Sequence, residues 1–210
     1  MNIYDGLNQE QEEGVRQTEG PLLILAGAGS GKTRVLTVRT ANLVDRCGVN
    51  PWNILAITFT NKAAKEMRER ILNTVQSEAS SIWVATFHAT CVRILRRFAD
   101  RIGYDSRFSI YDSDDARAVM KQIVKERQLE TRFLKLRQFC SAVSNAKNCL
   151  ISCDDYAQMI STNPDHPKLT DAYRTYQEIL KRDNAMDFDD LICNTVQLFR
   201  QDEEVLSYYQ

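Results

Sequence analysis

The residues between Ala26 and Thr33 constrain the fold more than any other part of the chain. They read Ala-Gly-Ala-Gly-Ser-Gly-Lys-Thr, and they lie between the apolar run Leu22–Leu25 and a helical pattern from Arg34 to Val44. This order predicts a buried strand, a glycine-rich turn and a helix whose free N–H groups and positive dipole end attract an anion. The segment is therefore predicted to be a phosphate-binding loop.

Each residue type in the loop suits that chemistry. The predicted nucleotide contacts are Ala26, Gly27, Ala28, Gly29, Ser30, Gly31, Lys32 and Thr33. The glycines let the backbone curl around a phosphate, Lys32 is the predicted catalytic residue that reaches the β and γ phosphates, and the Thr33 hydroxyl would bind Mg²⁺. Ala26 stands where the usual pattern has a glycine, and alanine suits any backbone with negative φ. The alternative is a glycine-rich turn without function.

Composition sets broad limits. A chain of 210 residues with 43% hydrophobic and 26% charged residues forms one domain or two small ones. The net charge of −1 excludes a globally basic nucleic-acid binder but leaves room for a local basic track. No apolar stretch approaches the ~18 residues that a membrane helix needs, and the polar start does not resemble a signal peptide. We therefore expect a cytoplasmic protein without membrane contact, and reduced core thiols for its six cysteines.

The sequence has two parts with different secondary-structure patterns. Three short apolar runs, each followed by a helical pattern, predict a parallel sheet flanked by helices: Leu22–Leu25, Ile54–Phe59 and Trp83–Phe87. From Arg107 to Asn184 the strand signals fade, and helical segments predict a small all-helical domain.

Five short segments together resemble a known family. They are, in order, Leu7–Gln11, Ala26–Thr33, Phe59–Ala64, Thr86–His88 and Met186–Leu191. Over essentially all 210 residues the chain resembles the N-terminal part of a UvrD/PcrA/Rep-type superfamily 1 DNA helicase. The segment Ser144–Asn148 is similar to part of the helical insertion of these motors.

The resemblance implies a fold. It is an α/β P-loop NTPase of the RecA-like type, with an incomplete parallel sheet and an all-helical inserted subdomain. The implied boundaries are 1–106 for the first part of the motor domain, 107–185 for the insertion and 186–210 for the return to the motor domain. Later strands of such a sheet are missing from this stretch, so we expect the isolated chain to be marginally stable or to self-associate.

The resemblance also implies a function. Such proteins use ATP and Mg²⁺ to move 3′ to 5′ along single-stranded DNA and to unwind duplex junctions in repair and replication. Their hydrolysis needs an acidic pair after a strand. Neither Phe108–Asp112 nor Asp187–Asp190 qualifies, because a serine interrupts the first and no strand is predicted before the second. We expect the pair beyond Gln210 and the remaining helicase domains as partners, so that this stretch alone binds nucleotide weakly and hardly hydrolyses it.

Two site residues flank the loop. The amide of Gln11 can donate and accept together, which suits the edge of adenine, and in the family the equivalent residue selects that base. The sequence alone favours an ordinary glutamine at a helix start. Arg34 would add charge near the nucleotide, although an arginine in the first turn of a helix is often only solvated.

A second set of residues follows two predicted strands. The resemblance assigns single-stranded DNA contacts to Phe59, Thr60, Asn61, Lys62, Thr86 and His88. An aromatic ring can stack on a base while the polar groups bind phosphate oxygens. From the sequence alone, Phe59 is expected in the core and His88 in an ordinary polar loop.

The sequence also contains a stripe of basic residues. Arg93, Arg97 and Arg101, with Arg96 beside them, recur along one helix, and a solvated face is the simpler interpretation.

Two alternative functions are compatible with the sequence. A small-molecule phosphotransferase would share the loop but needs a lid and a magnesium aspartate that the sequence does not show. A catalytically inactive fragment that binds nucleotide or single-stranded DNA is the other alternative.

Overall fold

The computed structural model describes residues 3–75, 78–131 and 134–210. They form a mixed α/β structure in two compact units, Met1–Thr90 and Cys91–Gln210. Within these described ranges no helix is long and apolar enough to cross a lipid bilayer. The three-part division at 106 and 185 stays a prediction.

The first unit contains a small parallel sheet and its flanking helices. Its elements are α1 (Gln9–Arg16), α2 (Lys32–Ala41), β1 (Leu55–Thr58), α3 (Asn61–Thr74), β2 (Trp83–Thr86) and the start of α4 (Phe87–Phe98). β1 and β2 pair in parallel with Leu55 opposite Trp83 and Thr58 opposite Thr86. Two of the three predicted strands are therefore confirmed, and each is followed by a helix.

The α3 helix covers this sheet because its apolar positions recur every three or four residues. Thr60 caps its first turn by accepting a hydrogen bond from the Ala63 N–H at 3.1 Å. The buried positions along this face are Ala64, Met67, Ile71 and Val75. The last three pack against residues of α2, β1 and β2. Arg68 ties the helix to the sheet by donating to the Val84 carbonyl at 2.6 Å.

The segment Leu22–Leu25 is not a strand, and the prediction for it was wrong in this structure. Leu23 is 78% exposed and Leu25 85% exposed. A strand exists only where a neighbour completes its backbone hydrogen bonds. In the part of the chain that the structure describes, β1 and β2 pair with each other in a two-stranded sheet. The composition of Leu22–Leu25 thus suits a strand, but the segment does not pair with β1 or β2 in the described structure.

The second unit is mostly helical and holds a second parallel pair. After α4 come β3 (Ser109–Tyr111), α5 (Ser113–Glu126), α6 (Leu136–Asn148), α7 (Cys153–Gln158), α8 (His166–Arg182), β4 (Ala185–Asp187), α9 (Phe188–Gln201) and α10 (Glu203–Tyr209). β3 pairs with β4, with Ser109 opposite Ala185 and Tyr111 opposite Asp187. The core lies between α5, α6 and α8, around Met120, Phe139, Tyr173 and Leu180.

This second pair of strands corrects two predictions. β3 lies inside the segment that was predicted to be entirely helical, and β4 precedes the acidic run at Asp187, where no strand was expected. Strands of three residues are too short to show an alternating pattern. They form because two distant segments of the chain supply each other's hydrogen-bond partners, which a local reading cannot detect.

A buried charge cluster joins α6 to the start of α9. The Lys147 side chain is 1% exposed, and its Nζ lies 2.6 Å from Asp187 Oδ2 and 2.8 Å from Asp190 Oδ1. The Tyr176 hydroxyl donates to the same Asp187 oxygen at 2.8 Å. The segments Ser144–Asn148 and Met186–Leu191, which the resemblance singled out separately, therefore form one network.

Burial and ion pairing compete in this cluster. Burial disfavours the charged lysine, but the carboxylates of Asp190 and Asp187 outweigh it and raise the pKa of Lys147. Burial also opposes the charge of Asp187, and Lys147 outweighs it and lowers the pKa of that carboxyl. The contribution of Asp187 to stability is therefore present above the ordinary carboxyl range and is lost as pH falls through its lowered pKa.

The arginines of the basic stripe contact neighbouring segments of the second unit. Arg96 donates to the Ser106 carbonyl at 2.7 Å, and Arg97 donates to the Tyr208 hydroxyl at 2.7 Å. Arg101 lies 3.4 Å from an oxygen of Asp202. All three side chains are nevertheless exposed, which agrees with the interpretation of this stripe as a solvated face.

The cysteines only partly match the expected core thiols. All six are free, but Cys47 and Cys149 are exposed, and Cys91 alone among them is buried. A hydrophobic pattern around a small side chain does not decide whether that side chain faces the core.

We expect Lys147→Met to lower the free energy of unfolding by about 3–5 kcal/mol, because it leaves two buried carboxylates without their counter-charge. Chemical denaturation followed by circular dichroism measures this change. Lys121→Met, at an exposed position of α5, is the matched control and should change stability by less than about 0.5 kcal/mol. Equal effects of the two substitutions would contradict the role of the cluster.

We also expect the isolated 210-residue chain to self-associate through Leu23 and Leu25, because exposed apolar side chains on a segment outside the described strands favour pairing with a second copy. Sedimentation velocity should show a concentration-dependent coefficient that the double substitution Leu23→Lys, Leu25→Lys abolishes. Leu72→Lys, at a 46% exposed position of α3, is the control and should leave association unchanged. A wild-type chain that stays monomeric at all concentrations would disprove the expectation.

Candidate functional site

The predicted phosphate loop ends where α2 begins. The helix starts at Lys32, and its N-cap Gly31 has φ +83° and no side-chain cap. The first N–H groups of a helix have no acceptor within the helix, and they carry its positive dipole end. Gly29 also has a positive φ, of +76°. The two glycines therefore shape a turn that presents backbone donors, which is the donor set that a phosphate requires.

The loop is folded upon its own carbonyl groups. The Ser30 hydroxyl donates to the Gly27 carbonyl at 2.7 Å. The Lys32 ammonium donates to the Ala26 carbonyl at 2.7 Å and also to that of Gly27. Ala26 thus takes part through its backbone, which alanine supplies as well as glycine does. These two bonds hold the Lys32 ammonium over the loop. A bound anion would compete with the two carbonyl groups for the ammonium.

Gln11 lies against this loop. It is the third residue of α1, and its Oε1 accepts from the Asn8 N–H at 3.0 Å, while Asn8 Oδ1 accepts from the Gln11 N–H at 2.8 Å. Its Nε2 donates to the Ser30 carbonyl at 2.9 Å. Although Gln11 does cap a helix start, its side chain also contacts the loop across 19 positions of sequence. Its contact with adenine stays a prediction.

The packing of α1 on α2 explains this placement. Val15 of α1 is fully buried against Val35 and Val38 of α2. Arg39 strengthens the contact by donating to the Gly14 carbonyl at 2.9 Å. Because both helices are held by apolar contacts and a charged donor, the start of α1 stays beside the start of α2.

Arg34 and Thr33 lie in the first turn of α2 and are both exposed. The Arg34 guanidinium donates to the Asp5 carbonyl at 2.9 Å and so fastens the segment before α1 to α2. Thr33 follows Lys32 directly, and its carbonyl accepts a hydrogen bond from the Thr37 hydroxyl at 2.8 Å. Their predicted contacts with nucleotide and Mg²⁺ remain predictions.

The other predicted site residues meet at the carboxyl edge of the first sheet. Thr58 of β1 lies opposite Thr86 of β2, so the segments that leave these strands are neighbours. Thr86 accepts a hydrogen bond from the Ala89 N–H at 3.3 Å. The remaining predicted members are exposed in the first turns of the following helices: Asn61, Lys62 and His88.

Two aromatic rings stand together at this edge. Phe59 is 90% exposed and Phe87 is 45% exposed, and their ring centroids lie 5.5 Å apart at an angle of 45°. The expectation of a core position for Phe59 was therefore wrong. The site prediction omitted Phe87, although its place directly after the second strand, like that of Phe59 after the first, was a usable signal.

The predicted phosphate loop and the residues at the carboxyl edge of the first sheet belong to one compact unit, in which α2 packs against α3. The first group offers backbone donors and an ammonium group, which suit polyphosphate. The second offers exposed rings flanked by hydroxyl, amide and ammonium groups, which suit a flexible chain of bases and phosphates.

Comparison with known proteins identifies the family of the chain. The model of the UvrD/REP helicase N-terminal domain family matches residues 7–210. The chain is 52% identical over 208 residues to the ATP-dependent DNA helicase PcrA of Staphylococcus epidermidis strain RP62A. It is 51% identical over 208 residues to the ATP-dependent DNA helicase PcrA of Staphylococcus aureus strain Mu50.

The match covers nearly all of this chain and a smaller part of those relatives. It takes in 99% of the chain and 28% of each relative's length. Its extent includes α1, the loop, both strands of the first sheet and the charge cluster of the second unit. The chain belongs to the UvrD/REP helicase N-terminal domain family.

Proposed function

We propose that this chain is the ATP-binding first part of a DNA helicase that couples ATP hydrolysis to 3′ to 5′ movement along single-stranded DNA and to the unwinding of duplex junctions. The observation that carries the proposal is the uncapped start of α2, with Gly31 in the left-handed region and Lys32 folded over the loop. Family membership and the names of the relatives support the DNA-dependent part.

The nucleotide part of the proposal follows from the residues of the loop. The N–H groups from Ala26 to Thr33 bind the phosphates of ATP, and Lys32 leaves the carbonyl of Ala26 to neutralise the β and γ phosphates. Because an ammonium group is a compact, mobile charge on a flexible stem, this exchange needs only side-chain rotation. Gln11 contacts the adenine of the nucleotide, and Arg34 adds positive charge near it.

Magnesium is the cofactor that this site would share with ATP. The exposed hydroxyl of Thr33 fits one position of its shell, since Mg²⁺ takes oxygen ligands and usually keeps several waters. When bound, the ion neutralises charge on the phosphate oxygens during hydrolysis. Thr33 would hold it at the mouth of the loop, next to Lys32.

The DNA part of the proposal rests on the carboxyl edge of the first sheet. Phe59 presents an exposed ring on which a base can stack regardless of sequence. Thr60, Asn61 and Lys62 lie at the start of α3, where free N–H groups and the helix dipole attract phosphate. Thr86, which is buried, and His88, which is exposed, extend this track to the end of β2.

The rest of the longer protein would complete the motor. We propose that residues 1–106 and 186–210 belong to the motor domain and that 107–185 form its helical insertion. Hydrolysis would draw on acidic and arginine groups outside these residues, so this stretch by itself binds nucleotide with little turnover.

We expect Lys32→Ala to weaken MgATP binding about 10- to 100-fold, because it removes a charged donor to phosphate. Isothermal titration with the wild type and the variant measures the change. Lys125→Ala, at an exposed position of α5, serves as the control and should bind MgATP as the wild type does. Undiminished binding by the Lys32 variant, or strong DNA-stimulated hydrolysis by the isolated chain, would contradict the proposal.

We expect Phe59→Ala to weaken the affinity for single-stranded oligothymidylate about 5- to 150-fold, since base stacking on an aromatic ring contributes ~1–3 kcal/mol. Fluorescence anisotropy of labelled DNA measures the affinity, and MgATP binding should be retained. Trp52→Ala is the matched control, because Trp52 is a 66% exposed aromatic that precedes β1 rather than following it. Equal losses in the two variants would argue against a track at the carboxyl edge.

A further inference from the structure

The side-chain amide of Gln11 is held at both of its ends. Its Oε1 accepts from the Asn8 N–H at 3.0 Å, and its Nε2 donates to the Ser30 carbonyl at 2.9 Å. If the amide were rotated by half a turn, donor would face donor at Asn8 and acceptor would face acceptor at Ser30. The surrounding backbone therefore allows one orientation of this amide.

This arrangement leaves half of the amide's capacity available. A carboxamide has two N–H groups and two oxygen lone pairs, and one of each is engaged. The remaining donor and acceptor belong to the same planar amide, whose orientation the two bonds fix. Adenine presents an N7 acceptor next to an N6 donor and matches this pair, whereas guanine presents two acceptors, N7 and O6. The pinned amide of Gln11 thus favours a 6-amino purine over a 6-oxo purine.

Two further residues maintain the orientation without contacting the base. The Asn8 side chain accepts from the Gln11 N–H at 2.8 Å, which completes a reciprocal capping box and fixes the first turn of α1. A Cβ at position 31 would lie 2.7 Å from Gln11 Nε2, and Gly31 also has a φ of +83°. The loop can pass beneath the amide because this residue is glycine.

We propose that Asn8 and Gly31 are positioning residues that set nucleobase selectivity by fixing the orientation of the Gln11 amide. This inference rests on the proposed nucleotide-binding function. It assigns selectivity to the contact between the start of α1 and the loop, in addition to the glutamine itself. Loss of the Asn8 side chain loosens the first turn of α1, and with it the backbone N–H that holds Gln11 Oε1, so the amide opposes the O6 of guanine less strictly.

The test compares three probes on the full-length protein encoded by the gene: MgATP, MgGTP and magnesium tripolyphosphate. Asn8→Ala should lower the ratio of ATP affinity to GTP affinity about fivefold, and leave tripolyphosphate affinity unchanged. Asn8→Asp should restore the ratio, because aspartate keeps the capping acceptor. Asn50→Ala is the matched control, since Asn50 also caps a helical turn, at Trp52, away from α1.

The outcomes separate this inference from the proposed function. A wild-type protein that binds none of the three probes would disprove the nucleotide-binding proposal itself. A wild-type protein that binds them, with an unchanged ATP to GTP ratio in Asn8→Ala, would overturn only the role of Asn8. An equal loss of affinity for all three probes in Asn8→Ala would show a general destabilisation and would also overturn the role of Asn8.

Discussion

The uncapped start of α2 is the feature on which the first unit depends. A helix end whose N–H groups lack a side-chain acceptor is stable only if solvent or a ligand satisfies it. Gly31 sends the chain into that end in a left-handed conformation, and the first turn of α1 is held above it by Gln11. The same contact that stabilises the loop therefore also fixes the position of the Gln11 amide beside it.

The second unit is organised by a different constraint, the burial of Lys147. A buried ammonium is tolerated only with counter-charges at short range, and Asp187 and Asp190 supply them from the end of β4 and the start of α9. Tyr176 donates to the same carboxylate from α8. Four elements, α6, α8, β4 and α9, are thereby held in one arrangement, which also explains why a three-residue strand can persist at Ala185–Asp187.

The sequence predicted best where a local rule is sufficient. The cap at Thr60, the buried face of α3 and the strands β1 and β2 follow from periodicity and capping chemistry within a few residues. It failed where the outcome depends on a partner. Leu22–Leu25 has a strand composition without a strand beside it in the described structure, and the pairing of β3 with β4 joins segments that show no pattern alone.

The sequence by itself determined the loop, its lysine and the family, because these depend on residue types at fixed spacing. Only the tertiary structure decided that Phe59 is exposed beside Phe87, that Gln11 contacts Ser30, and that Lys147 lies between two aspartates. Exposure and long-range contact depend on how helices and strands pack, and packing is a sum over distant neighbours that no local window contains.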